Sequence, residues 1–509
     1  MSSRPVPRRA ASALWDATRP GIAPPPAAPS RLFDLRGPYL GPLLLLILTR
    51  AVADWTLPQA AEDAYITFRY ARSLATGEGL VYNPGERVMG FTSPLWTAWN
   101  ALGIVLFRDP LPWARGWAAA ADAVTLVAVA RMLERHVSRA AAWAFTIPFA
   151  TWPYFSALAA SGMENGVMIA LAAVAAGAAT SRAVWAGPAL GALALSRPEG
   201  AVMAAVIGAW AGARDRIVGA ILAGAVWGGL ALYYGSPIPQ SLRSKAVLYG
   251  TPGPIEGRFW WEWLLPFAPG RWSPVLDFNA IFPLAIVLAP AVVFGAAAVW
   301  RARRSALAAF LAAGLAAWGG YAALGVAYFW WYAAVPLTVA LALGAAGFEC
   351  IARGRALGVA ATLFLLGAWT WSPPIYLGRA RTEFETFGAT ARFLREAARP
   401  GERVLLEPIG WVGWQAPLVV IDEVGLVSRG VAERRARGPG WYADLLAERA
   451  PEWLVVRRGV LDTGRAFAGA GAPFRSAAER DAALARYRLV RDPGPAGDPS
   501  ALLVLRRAD

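Results

Sequence analysis

Stretches of about twenty apolar residues recur along this 509-residue chain, separated by short arginine-bearing connections, and that recurrence constrains the fold more than any other feature. A helix of that length, rising ~1.5 Å per residue, crosses the ~30 Å hydrocarbon core of a bilayer with its backbone polar groups satisfied internally. Such runs lie near 38–57, 115–133, 140–160, 164–181, 216–235, 277–300 and 356–374. The uncharged stretch from Ser305 to Phe348 is too long for one crossing and reads as two helices turning near Tyr328-Phe329-Trp330-Trp331-Tyr332. Between Arg182 and Arg214, two pieces of about 13 residues flank Ser196-Arg197-Pro198-Glu199-Gly200. They read as a hairpin whose charged turn must face protein or a wet cavity rather than lipid. The expected fold class is a polytopic α-helical membrane protein of about eleven spans.

Arginine placement sets the expected topology. Clusters at 131–139, 182, 214–216, 301–304 and 353–355 fall at alternate connections, on the side of a basic N-terminal tail, and mark that side as cytoplasmic. Residues 1–37, rich in Arg, Pro and Ala, read as a disordered cytoplasmic tail. Residues 38–377 read as the multi-span domain, with a first outer loop at 58–114 and a loop carrying Lys245 at 236–276. Within the first loop, Leu95–Phe107 is too short to span and reads as an interfacial or re-entrant helix. From 378 to 509 charge returns, with short alternating stretches at 403–406, 418–421 and 453–456 between helical patterns at 388–398 and 441–449. That pattern predicts an extracytoplasmic α/β domain.

A formal charge of +15 would suggest nucleic acid in a soluble protein, but here much of the arginine lies in the loop clusters, so a nucleic-acid partner is not expected. Membrane lipid is the expected surrounding. His136 is the only histidine and Cys350 the only cysteine, which excludes a disulfide framework and leaves no zinc site or histidine relay within one chain. The titrating chemistry that remains is carboxylate and lysine. No cofactor is required by the residues; Glu62 with Asp63 is a conceivable divalent-ion pair, but no metal site is assigned.

Most of the candidate chemistry falls on the predicted outer side. Glu62-Asp63 opens a helix on which Tyr65, Phe68, Arg69 and Arg72 lie roughly on one side. Acids at a helix start ordinarily stabilise its N-terminal end, yet a turn-rich loop, Gly85 to Trp96, follows and returns to the membrane. Glu164 and Glu199 stand at outer corners, either as caps and partners of Arg197 or as ligand-binding acids. Trp330 and Trp331 belong either to an interfacial aromatic belt or to a ligand platform. Glu86 is either an acid that supports a neighbouring site residue or a solvated loop residue. The Gly410-Trp411-Val412-Gly413-Trp414 segment reads as a turn between strands that presents tryptophans, since it lacks the Lys-Ser/Thr of a phosphate cradle.

Three segments of the first loop carry a resemblance: Glu62-Asp63-Ala-Tyr-Ile-Thr-Phe-Arg-Tyr, Gly79-Leu-Val-Tyr-Asn-Pro-Gly-Glu-Arg-Val88, and Gly90-Phe-Thr-Ser-Pro-Leu-Trp96. They resemble the first external loop of polyprenyl-phosphate-sugar-dependent transferases of the GT-C superfamily, in particular its arabinofuranosyltransferase-like members. Later landmarks follow in order: Ser161-Gly-Met-Glu164, Ser196-Arg-Pro-Glu-Gly200, Tyr233-Tyr-Gly-Ser-Pro-Ile-Pro-Gln-Ser241 with Lys245, Glu407-Pro-Ile-Gly-Trp411 and Asp422-Glu-Val-Gly-Leu426. The resemblance covers about residues 38–460. It implies an inverting glycosyltransferase in a bacterial-type cytoplasmic membrane, moving a sugar such as arabinofuranose from a polyprenyl-phosphate donor to a glycan, glycolipid or protein acceptor.

The implied roles fit the available side chains. Asp63, by that analogy, takes the proton of the attacking hydroxyl, with Glu62 beside it. Lys245 is the preferred ligand of the donor phosphate, with Arg69, Arg72 and Arg197 competing for it. Tyr65, Glu86, Glu164, Glu199, Gln240, Trp330 and Trp331 are candidates for sugar or acceptor contacts. The residues alone do not choose between Glu62 and Asp63. A transporter or flippase of lipid-linked saccharide is the alternative, against which stand the one-sided acids and the lack of an evident internal repeat.

Overall fold

The computed structural model describes residues 39–249, 302–326, 329–351, 381–462, 471–492 and 498–508, with Trp263, Phe467 and a few positions between 292 and 300. Gly41–Asp509 is one compact unit. The run expected at 356–374 lies outside the described residues, and that at 277–300 lies largely outside them.

The chain begins with α1 (Leu40–Thr56), α2 (Glu62–Ala75) and α3 (Pro94–Phe107), then α4 (Pro110–His136), α5 (Arg139–Thr151), α6 (Pro153–Ala160) and α7 (Asn165–Ser181). There follow α8 (Ala186–Ser196), α9 (Pro198–Ile207), α10 (Ala213–Tyr234), α11 (Gln240–Tyr249), α12 (Ala306–Ala323) and α13 (Ala334–Ile351). Among the described residues four helices are long and apolar enough to cross a membrane: α4, α10, α12 and the stretch Trp330–Gly347 that enters α13. The chain is a multi-pass membrane protein. The short helix expected at 95–107 is present as α3, and Ser305–Phe348 does divide into two helices.

The run at 140–160 is not one helix, as its apolarity had suggested. Trp152 takes an extended backbone, φ −66° and ψ 121°, and Pro153 restarts the chain as the first residue of α6. A proline biases its predecessor away from helical angles, so the break follows from Pro153 itself. From α6 the chain turns by 107° into α7. Gly162, at φ +79°, supplies the left-handed residue that this corner needs, and Met163 and Glu164 sit on it.

A buried ion pair ties α1 to α4. Arg50 donates to Asp122 through Nε and Nη2, at 2.9 and 2.8 Å, and its remaining donors reach Thr49, Ser156 and the carbonyls of Phe149 and Ala150. Both side chains are almost fully buried. Composition and motif did not single out this pair.

The C-terminal domain comprises α14 (Ala389–Ala397), β1 (Arg403–Leu406), α15 (Ile409–Gln415), β2 (Val419–Asp422), α16 (Val431–Ala436), α17 (Trp441–Arg449), β3 (Trp453–Arg457), α18 (Ala477–Leu484), β4 (Tyr487–Arg491) and β5 (Leu502–Arg507). Its sheet has the order β2-β1-β3-β5-β4. The three predicted strands form the parallel half, Leu405 pairing with Ile421 and Leu454, while β5 runs antiparallel to β3 and β4. Strands β4 and β5 were not anticipated. Leu405, Leu454 and Leu505 meet Trp441, Tyr442 and Phe474 in the core on one side of the sheet.

Residues 410–414 are helical, within α15, rather than a turn. Trp411 is buried and so presents no platform to an acceptor. The glycines have a packing reason: a Cβ on Gly410 would collide with the Glu62 backbone, and one on Gly413 with the Tyr82 hydroxyl. Helix α15 therefore lies directly on the 62–83 segment.

Candidate functional site

Helix α2 presents two stripes to two different surroundings. Glu62, Tyr65, Arg69 and Arg72 recur at three- and four-residue spacing and face the C-terminal domain. Asp63, Ile66 and Thr67, offset by about one residue or ~100°, face a cavity.

On the first stripe, Glu62 accepts hydrogen bonds from the amides of Gly410 and Trp411, at the start of α15. Burial, with the like charge of Asp63 adding to it, holds the Glu62 carboxyl well above its usual range, against the lowering effect of the amides of Trp411 and Gly410. Tyr65 donates to Gln59 and packs against Trp411, ring centres 5.0 Å apart. Arg69 donates to the carbonyls of Tyr82, Gly413 and Leu418, each at 2.8 Å, and lies 4.3 Å from the centre of the Tyr82 ring. Arg72 donates to the Trp414 carbonyl and stacks on its indole. Asn83 completes the junction by exchanging two hydrogen bonds with the backbone of Val420. These contacts fasten the 62–83 segment to the C-terminal domain. Arg69 and Arg72 are thus placed away from the cavity, in a correction to their grouping with Lys245 as phosphate ligands.

The cavity on the second stripe has a volume of about 280 Å³. Its walls are Asp63 and Thr67 of α2, the segment Gly90–Ser93, the Met163-Glu164 corner, Arg197 to Glu199, Ser241 and Lys245 of α11, Tyr321, Trp331 and Tyr332, with Leu426 from the C-terminal domain. Asp63 is half-buried, and among the described residues its carboxylate has no hydrogen-bond or ion-pair partner. Arg197 is ion-paired with Glu164 and with Glu199, all three side chains buried, and its guanidinium lies 5.4 Å from the centre of the Tyr332 ring. Two carboxylates around one guanidinium leave that cluster net negative, so its positive charge is already committed. Lys245 reaches into the cavity with its ammonium 4.9 Å from the centre of the Phe329 ring.

The structure therefore brings together Asp63, Glu164, Arg197, Glu199, Lys245 and Trp331 from the residues singled out in the sequence. Others lie elsewhere. Glu86 is exposed and accepts from Asn83, Gln240 faces Ser244 and the Gly425 carbonyl, and Trp330 lines a separate small recess with Trp411 and Glu383. Tyr321, Tyr332, Ser241 and Leu426 are wall residues that sequence reasoning missed. Tyr332 was within reach, at the end of the aromatic run already noted, whereas Tyr321 sits in an apolar helix without a motif. Among the described residues no group of three or more acidic, His or Cys side chains gathers as a metal cluster.

The fold of this chain is shared with solved structures. The chain is similar to ArnT from Cupriavidus metallidurans, in the crystal structure bound to undecaprenyl phosphate: 14% identity, TM-score 0.57, covering 92% of this chain and 98% of that one. It is also similar to the Archaeoglobus fulgidus oligosaccharyltransferase in complex with Zn and sulfate: 13% identity, TM-score 0.52, covering 87% of this chain and 71% of that one. The fold is GT-C-like. Residues 375–502 match a family described as "Domain of unknown function (DUF8728)". No curated protein matches the sequence.

Proposed function

We propose that the protein is an inverting glycosyltransferase that moves a sugar from a polyprenyl-phosphate donor to an acceptor hydroxyl, with Asp63 as the general base. The observation that carries this reading is the Asp63 carboxylate, without a hydrogen-bond or ion-pair partner among the described residues, facing the same cavity as the Lys245 ammonium. An attacking hydroxyl must lose its proton as it bonds to the anomeric carbon, and a carboxylate that no cation occupies is available to take it. Breaking the bond to the carrier leaves charge on a lipid phosphate, which a cation in a confined cavity stabilises. Lys245, on a helix that lines the same cavity as Asp63, is the proposed cation, while Arg197 is held in ion pairs with Glu164 and Glu199. Attack from the face opposite the phosphate inverts the anomeric centre and needs no covalent enzyme intermediate. That undecaprenyl phosphate is bound in a structure sharing this fold supports the donor class.

The aromatic and acidic wall, Tyr321, Trp331, Tyr332 and Glu199, is the proposed surround of the sugar. The topology proposed from the arginine pattern places the cavity and the C-terminal domain outside the cytoplasm, where a cell-envelope glycan, glycolipid or protein serves as acceptor. Purified full-length protein given a panel of synthetic polyprenyl-phosphate pentoses and hexoses, arabinofuranose among them, tests the reading. Transfer that vanishes in Asp63→Asn supports it. Turnover preserved in that variant removes Asp63 as base, and flux of lipid-linked saccharide across vesicles without transfer points instead to a flippase.

A further inference from the structure

Helix α11 carries Lys245, and its two faces are occupied in a regular way. Ser241 and Lys245, four residues apart, line the cavity. Gln240, Ser244 and Leu248, also at four-residue spacing, face the C-terminal domain. Gln240 donates to the Gly425 carbonyl at 3.4 Å, Ser244 donates to the same carbonyl at 2.6 Å, and Leu248 packs against Val424 and Ala432. Ser244 is completely buried. The helix that supplies the cavity's cation is therefore registered against the 423–428 loop of the C-terminal domain.

That loop is itself fixed from one point. The buried Asp422 carboxylate accepts hydrogen bonds from the amides of Val424, Leu426 and Val427, at 2.8 and 3.1 Å for Val424 and Val427. Gly425 turns the loop at φ +80°, where a side chain would be strained and a Cβ would meet the Ala432 amide. The same wrap sets Leu426 in the cavity wall. Asp422, the Gly425 carbonyl and Ser244 thus form a chain of contacts ending one residue before Lys245.

We propose that Ser244 is a positioning residue that, through the Gly425 carbonyl and the Asp422-fastened loop, holds Lys245 where it meets the donor phosphate. The C-terminal domain then sets the geometry of the phosphate site instead of serving only the acceptor. This rests on the reading of Lys245 as the phosphate ligand. With the Ser244 hydroxyl removed, α11 keeps its fold and its apolar seat at Leu248 but loses its shortest polar tie, and the ammonium samples positions away from the phosphate.

The test measures undecaprenyl phosphate binding to full-length protein in nanodiscs for wild type, Ser244→Ala, Lys245→Ala and the double variant, with thermal melting of each. The expected result is an affinity loss of about tenfold for Ser244→Ala in the wild-type background, less than twofold in the Lys245→Ala background, and little change in melting. Wild-type affinity in Ser244→Ala, or an equal loss in both backgrounds, overturns the positioning role while leaving Lys245 in place. Wild-type affinity in Lys245→Ala removes the phosphate-ligand reading, and the positioning role with it. Should Ser244→Ala fail to fold, Asp422→Asn, which keeps the shape and one acceptor oxygen, replaces it in the same cycle and is held to the same outcomes.

Discussion

Glu62 and Asp63 are consecutive residues whose carboxyl groups serve different halves of the protein: Glu62 accepts from the α15 amides, and Asp63 faces the cavity with no partner among the described residues. Their substitutions are expected to separate accordingly. Asp63→Asn should fold as wild type and lose about 10²–10⁴-fold in transfer, the usual contribution of a general base. Glu62→Ala strands two partly buried amides and should cost about 1–3 kcal/mol of stability with kcat much less affected. Parallel melting and single-turnover measurements on the two variants check this. Comparable catalytic losses at both positions would mean that the two acids act as a pair.

Arg69 should behave as a structural residue. Its three 2.8 Å bonds to carbonyls on both sides of the junction use a planar fork that an ammonium cannot reproduce. Arg69→Lys, which keeps the charge, is expected to lower stability by about 2–3 kcal/mol and to loosen the C-terminal domain. Limited proteolysis between 381 and 420 and undecaprenyl phosphate affinity form the pair of measurements. Faster cleavage with unchanged affinity is the expected combination; weaker affinity with unchanged cleavage would return Arg69 to the phosphate.

The Arg50–Asp122 pair gives a prediction about the helical domain. Both groups are buried and bonded to each other, so removing either one leaves a charge without its partner. Asp122→Leu or Arg50→Leu alone should cost about 3–5 kcal/mol, whereas the double variant should recover much of that loss. Unfolding in detergent across this double-mutant cycle measures the coupling. Additive losses would show that the neighbouring carbonyls and hydroxyls, rather than Asp122, stabilise Arg50.

Part of the architecture was legible because it follows local rules: the long apolar helices Pro110–His136, Ala213–Tyr234 and Ala306–Ala323 and the short strands Arg403–Leu406 and Trp453–Arg457. The break at Trp152 was equally local, and Pro153 announced it. What each stripe of α2 faces was not legible, since the partners of Glu62 and Arg69 lie about 350 residues away in sequence. Periodicity places Arg69 and Arg72 on Glu62's side of the helix, but only the contacts with 410–418 show that this side is turned from the cavity. The same distance hid the α11 contact with Gly425 and the pairing of Arg50 with Asp122. Strand β5, an apolar run of Leu-Leu-Val-Leu just after Pro499-Ser500, had a signal that alternation-based reading does not detect.

The junction beneath the cavity should also respond to pH. Burial pushes the Asp422 carboxyl up to about 6, against the lowering effect of the loop amides, and pushes the neighbouring Glu423 up to about 8, where Arg435 opposes it and Glu407 and Asp422 add to it. Both are acids with raised values, so between about pH 4 and pH 8 the folded domain binds more protons than the unfolded chain. Their contribution to stability is complete below the unfolded values near 4, and it is lost as pH rises through about 6 for Asp422 and about 8 for Glu423. At ~1.4 kcal/mol per unit of displacement, this amounts to a few kcal/mol for each group. The melting temperature of the full-length protein is therefore expected to fall between pH 5 and pH 8, most steeply in the lower part of that window, where both groups hold protons that the unfolded chain has lost, and more gently above about pH 6, where only Glu423 does. In Glu423→Gln, which stays neutral throughout, the upper part of the fall should disappear while the part near pH 6 remains. An unchanged pH profile in that variant would place the titrating group elsewhere and leave Glu423 ionised in the folded domain.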